Sequence, residues 1–190
     1  FLQLPDDTLL DICDFLGTCV LSHICRRAWD LLHGRHVRLT LTQASQHRTF
    51  AAIKRAPSLR TLYLYLGNRD CGFDPGSVML GMRCAASLHT VHVNLSNSKV
   101  NTCGAAKLKS LKNAPSLHTL HLNLEYNDVG DVGAWYLAEV KQATSLCTLH
   151  LFLRQNNIGP HGAEGLAGLK EAKSLHTLLL SLGSNKVEAD

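Results

Sequence analysis

The dipeptide Ser-Leu begins at Ser58, Ser87, Ser116, Ser145 and Ser174, and every interval is 29 residues. A register held over five copies restricts the chain to architectures in which one short unit is stacked on itself. Aligned on that Ser, the third position onward is always Thr (Thr61, Thr90, Thr119, Thr148, Thr177), and Ala recurs two places before it (Ala56, Ala85, Ala114, Ala143, Ala172). After each Thr comes alternation: Leu62, Leu64, Leu66; Val91, Val93, Leu95; Leu120, Leu122, Leu124; Leu149, Leu151, Leu153; Leu178, Leu180, Leu182. Period two predicts one strand per unit with these side chains facing inward. In the second half of each unit the apolar residues fall three apart (Met79/Met82, Leu108/Leu111, Leu137/Val140, Leu166/Leu169), often behind a Gly-Ala step, which predicts a short helix.

A single strand and helix of this size cannot bury their apolar faces alone. Neighbouring units must stack, strand beside parallel strand at about 4.8 Å, to give a curved α/β solenoid with helices outside. This accounts for an unusual composition, 35 Leu among 190 residues with only 18% charged side chains. Val37, Leu39 and Leu41 in Arg-His-Val-Arg-Leu-Thr-Leu read as a degenerate opening strand, with Phe50, Ile53 and Lys54 in phase with the later helices. The expected division is a helical segment over 1–33 and a repeat region over 34–190, its first unit (34–57) degenerate, full units from 58, and its last unit truncated. The start at Phe1 and the open last unit predict an excerpt of a longer chain, whose final strand something else must cover.

The run Leu120-His-Leu-Asn-Leu-Glu-Tyr-Asn127-Asp-Val-Gly130-Asp-Val-Gly133-Ala134 resembles leucine-rich repeats of the ribonuclease-inhibitor type, over roughly residues 37 to 190. The resemblance implies that Asn127, Asn156 and Asn185 bond backbone groups of the turn. Two departures stand out. Each strand carries one extra Leu-x step, which predicts a strand about two residues longer. Asn68 and Asn97 stand one place early, which predicts irregular loops in the first two full units.

Residues 1–33 lie outside the repeat. Pro5 followed by Asp6 and Asp7 is a helix start, with the acids against the positive end of the dipole. Leu9, Ile12, Cys13 and Leu16 form an apolar stripe, and Leu21, Ile24, Cys25, Ala28, Leu31 and Leu32 form a second one beyond Gly17. The segment resembles an F-box in Leu4-Pro5, Leu9-Leu10, Ile12, Phe15-Leu16, Ile24-Cys25-Arg26-Arg27 and Trp29, although it is shorter between Leu16 and Ile24 by close to one helical turn. That resemblance implies docking on the Skp-type adaptor of a cullin-RING ubiquitin ligase through Leu4, Pro5, Ile12, Leu16, Leu21, Cys25 and Trp29, with an unknown substrate held by the repeats. The alternative is an amphipathic helical hairpin that caps the first strand.

The outward strand positions form two rows, Tyr63, His92, His121, His150, Leu179 and Tyr65, Asn94, Asn123, Phe152, Ser181. Aromatic, His and Asn side chains on a concave surface suit protein recognition. The row of His92, His121 and His150 has the side-chain chemistry of a zinc site, but no acid or Cys shares its phase, and duplication of the unit explains it without a metal. Glu125 and Arg154, two places further along, are expected to pair. Lys54, Arg83, Lys112, Lys141 and Lys170 recur four residues before each Ser, at helix ends where a cation complements the dipole. A stripe of five cations could also meet nucleic acid, but the net charge of +4 and the lack of aromatic interleaving on that face favour the helix-end reading. Arg69 and Arg154 lie in loops, but nothing distinguishes them as catalytic, and nucleophile motifs, phosphate-cradling loops and paired carboxylates are missing.

No apolar run approaches the roughly 20 residues that span a bilayer. The seven Cys contain no C-x-x-C pair, which predicts a reducing compartment, cytoplasm or nucleus. The sequence is thus expected to be a non-enzymatic interaction protein without metal or cofactor: the substrate-recognition subunit of a ubiquitin ligase, or an architectural subunit that binds its neighbours in a larger assembly. Co-purification with a Skp-type adaptor, abolished by Leu4→Ala with Pro5→Ala, is the outcome the F-box resemblance requires; no adaptor binding where an established F-box binds excludes it.

Overall fold

The computed structural model describes residues 34–41, 53, 56, 58–66, 82 and 85–187, together with 5–8 and 11–12. Its strands are β1 (His36–Leu41), β2 (Thr61–Leu66), β3 (Thr90–Asn94), β4 (Thr119–Asn123), β5 (Thr148–Phe152) and β6 (Thr177–Ser181). They form one parallel six-stranded sheet in chain order. Helices α1 (Thr102–Leu108), α2 (Gly130–Ala138) and α3 (Pro160–Ala167) connect β3 to β4, β4 to β5 and β5 to β6. The architecture is α/β, as the alternating periods require.

Burial follows the period of two. Leu62, Leu64, Val91, Val93, Leu120, Leu122, Leu149 and Leu151 are all buried, while the residues between them are partly exposed. Each helix tightens at its end into a 3-10 turn, Lys109–Asn113, Glu139–Gln142 and Gly168–Glu171. That turn explains the spacing of three: Leu111, Val140 and Leu169 lie within it, where positions three apart eclipse and point together into the core. Adjacent helices pack closely at Gly133, where an added Cβ would come 3.2 Å from Ala105 Cβ and 3.5 Å from Thr102 Cα of α1.

Successive units are also tied through side chains. Ser87 Oγ donates to the Leu59 carbonyl, Ser145 Oγ to Leu117 and Ser174 Oγ to Ala143, so three of the anchor serines bond the preceding unit. Asn127 Oδ1 accepts from the amides of Ser98 and Val100, while its Nδ2 donates to the carbonyls of Leu95, Leu124 and Glu125. Asn185 repeats the arrangement with Asn156 N, Ile158 N and the Leu153 and Leu182 carbonyls. Asn156, fully buried, accepts from Val129 N and donates to Leu124 and Arg154. Asp131 of α2 accepts from Gly159 N and Gly162 N and so caps α3, whose own N-cap residue is a glycine with no side chain to offer.

Two expectations change. The strands after β2 stop at five residues; the extra Leu-x step instead continues the inter-unit bonding past the strand, with Leu95 N donating to Asn123 O and Leu124 N to Phe152 O. Nor is the loop after β3 irregular. Asn97 (φ 53°) shares its phase and left-handed conformation with Tyr126 (58°), Gln155 (52°) and Ser184 (56°), a conformation Asn tolerates well, and buried Ser98 occupies the ladder position. Asn68 lies outside the described residues. At the far end of the sheet β6 is open: Leu178 and Leu179 are 43% and 42% exposed, and Leu180 and Leu182 only partly buried.

At the N-terminal end, residues 6–8 and 11–12 are helical, in keeping with a start at Pro5, which is exposed; Ile12 is half-buried. Leu4, Leu16, Leu21, Cys25 and Trp29 lie outside the described residues. No helix of the described residues is long and apolar enough to cross a membrane.

The Asn positions are separable by substitution. Asn156→Ala strands a buried amide and two carbonyls and is expected to lower unfolding free energy by about 2–4 kcal/mol. Asn97→Gly relieves a left-handed residue and should change it by no more than about 1 kcal/mol. Urea denaturation of the two variants checks the contrast.

Candidate functional site

The outward positions of the strands build the candidate surface. Parallel pairing places Tyr63 beside His92, His92 beside His121, His121 beside His150, and His150 beside Leu179. In-register strands about 4.8 Å apart bring like rings to nearly their stacking distance. Tyr63 and His92 stack with centroids 4.4 Å apart and planes at 11°, and His92 and His121 at 4.1 Å and 23°. His150 breaks the pattern, meeting His121 edge-on at 4.1 Å and 69°. A second stack, His89 on His118 at 4.7 Å and 8°, lies just before the strands.

The column has a cationic end that the 29-residue spacing does not reveal. Because β1 precedes β2 by 25 residues in register, Arg38 falls beside Tyr63. Its guanidinium carbon lies 5.1 Å from the centroid of Tyr63 and 5.7 Å from that of Tyr65, within cation–π range. The signal in the sequence is the alternation of Val37, Leu39 and Leu41, which turns Arg38 outward.

Beside this column runs the row Thr40, Tyr65, Asn94, Asn123, Phe152 and Ser181. Tyr65, His92, Asn94, His121, Asn123 and Phe152 line a shallow hollow of about 220 Å³. Asn94 Oδ1 accepts from Ser96 N and Asn123 Oδ1 from Glu125 N, so each side-chain carbonyl is held by its own turn. All eight strand-face residues expected from the sequence thus share one surface.

Burial, with His121, His150 and Arg38 nearby, holds His92 well below its ordinary 6.5, at about 4. His121 is lowered by burial and by His150. Among the described residues no group of three His, Cys, Asp or Glu side chains is arranged to hold a metal ion.

Two charged expectations resolve differently. Glu125 and Arg154 form no ion pair; Arg154 instead lies over the Tyr126 ring at 5.8 Å, where the left-handed backbone at Tyr126 diverts the turn. On the helix side, Lys112 Nζ lies 2.7 Å from Glu139 and Lys141 Nζ 2.7 Å from Glu171, each paired with an acid one unit ahead. The basic stripe is therefore partly neutralised within the protein. Lys54, Arg83 and Arg69 lie outside the described residues.

No protein-family model and no curated protein matches the chain. Solved structures do. One is leiomodin-1 actin-binding site 2, with a TM-score of 0.56 and 17% identity over 70% of this chain and 77% of that one. Another is the C-terminal domain of Caenorhabditis elegans tropomodulin, with a TM-score of 0.54 and 14% identity over 72% of this chain and 82% of that one. Both are leucine-rich-repeat-like. The likeness is one of fold. None of these comparisons ties residues 1–33 to an F-box.

The depressed imidazoles carry a pH signature. Between 6.5 and about 4 the unfolded chain binds a proton at His92 that the folded chain does not, so stability falls as pH drops through that window. Since the ring is partly solvated, the loss is about 1–3 kcal/mol by pH 4. Glu139, held below its ordinary 4.5 mainly by the Lys112 hydrogen bond, adds its own loss only below that value. Urea denaturation from pH 7 down to 4.5 should therefore show a decline that His92→Gln reduces.

Proposed function

We propose that this chain is a non-enzymatic protein-interaction module, a leucine-rich-repeat solenoid that uses its strand face to bind a neighbour in a larger macromolecular assembly. The observation that carries the reading is the continuous Arg38–Tyr63–His92–His121–His150 column beside the Tyr65–Phe152 row, an aromatic and polar surface broad enough for a protein partner. The fold of the two structural neighbours supports it, and the leiomodin-1 segment is an actin-binding site of that protein. Actin is accordingly a sensible first partner to test. The adaptor-coupled ubiquitin-ligase role rests on the N-terminal resemblance alone and ranks behind this reading. A cytoplasmic or nuclear setting suits the free thiols of Cys103 and Cys147.

A photo-crosslinking amino acid at Phe152 should capture a partner in cell extract, and the same probe at exposed Val132 on α2 should not. Tyr65→Ala with Phe152→Ala should weaken binding of that partner, or of purified actin, by about tenfold or more, because aromatic anchors dominate interfaces. Capture from Val132 alone refutes the strand face as the binding surface.

A further inference from the structure

We infer that the strand face recognises an acidic polypeptide segment, its carboxylates received by Arg38, the Asn94 and Asn123 amides and the histidine column. This rests on the interaction reading above and specifies the partner's chemistry. The argument is one of hydrogen-bond inventory. The Oδ1 atoms of Asn94 and Asn123 already accept from Ser96 N and Glu125 N. Each Oδ1 keeps one lone pair, while both NH2 groups are left with two donors each, so donors outnumber acceptors at these side chains. Arg38 adds a guanidinium that lies over Tyr63 and Tyr65, and among the described residues no carboxylate pairs with it. Neither row contains an Asp or Glu. The surface is rich in donors, and carboxylates are the matching acceptors.

Width favours a peptide. Tyr65 and Phe152 stand three strand spacings apart, about 14 Å, which admits one polypeptide segment; a helix with its side chains is about 10–12 Å across. A nucleic-acid backbone needs several fixed cations in line. Of the two rows, only Arg38 is permanently charged.

The histidines add a proton dependence. The groups around the column are Arg38 on β1, Tyr63 and Tyr65 on β2, His92 on β3, His121 on β4 and His150 on β5, with Glu125 and Arg154 in the turns beyond β4 and β5; Leu179 on β6 is uncharged. Glu125 is the one acid of this set. A carboxylate brought against the imidazoles of His92 and His121, both held below the ordinary histidine value, raises their affinity for protons, so binding takes protons up and tightens as pH falls.

The test is fluorescence anisotropy with the whole chain and three labelled probes: a short poly-glutamate peptide, a poly-lysine peptide of equal length, and a thymidine oligonucleotide. Poly-glutamate should bind best, and its affinity should rise at least about threefold between about pH 7.5 and 5.5. Arg38→Gln, an exposed position, should weaken it about fivefold or more at both pH values while lowering the melting temperature by no more than about 5 °C, and His121→Gln should reduce the pH dependence. Equal or tighter binding of the oligonucleotide, or poly-glutamate affinity indifferent to both substitutions, overturns the inference. If poly-glutamate fails to bind while the Phe152 probe still captures a partner, the interaction reading stands and the acidic-segment inference falls. If neither occurs, both fall.

Discussion

Everything in this fold depends on satisfying the backbone between one unit and the next. Parallel strands of five residues bond each other, but the turns that follow have amides and carbonyls that no strand partner reaches. Asn127, Asn156 and Asn185 close that gap by bonding across the unit boundary, each accepting from an amide of the unit before it and donating to carbonyls. Three of the anchor serines and Asp131 perform the same task at the strand entrance and at the start of α3. These bonds hold neighbouring units at one fixed offset. Register slips, in which an inward row turns outward, are thereby excluded at the turns as well as in the core.

That fixed offset also creates the surface. Because equivalent residues lie one strand spacing apart, outward side chains form rows, and a ring repeated in one phase becomes a stack. Tyr63, His92 and His121 stack for this reason, and burial within that stack, with the neighbouring imidazoles, is what depresses His92. The same geometry on the helix side sets Lys112 and Lys141 within reach of Glu139 and Glu171, so that a stripe of cations that would otherwise form a basic surface is partly neutralised.

Much of the fold was legible because translational repetition makes a local pattern global. The inward rows, the outward rows, the 29-residue interval and the in-phase asparagines could all be read from spacing. What could not be read lies where the repetition breaks. β1 joins β2 at an offset of 25 residues, and only the pairing of His36 with Thr61 shows that Arg38 caps the column. Asn97 looks like a misplaced ladder residue until its φ of 53° places it in the left-handed position shared by Tyr126, Gln155 and Ser184. Glu125 and Arg154 have opposite charge and adjacent phase, yet the turn sends Arg154 to Tyr126.

By itself, then, the sequence determined that strands and helices alternate, which side of each strand is buried, and that the outward positions line up as rows, because these follow from periods of two, three and 29 along the chain. The tertiary structure alone decided how each row is terminated, which charges meet, and how the rings are tilted, stacked at His92 and edge-on at His150. Those depend on turn conformations and side-chain rotations that a periodic pattern does not encode, and they give the strand face its donor-rich, cation-capped character.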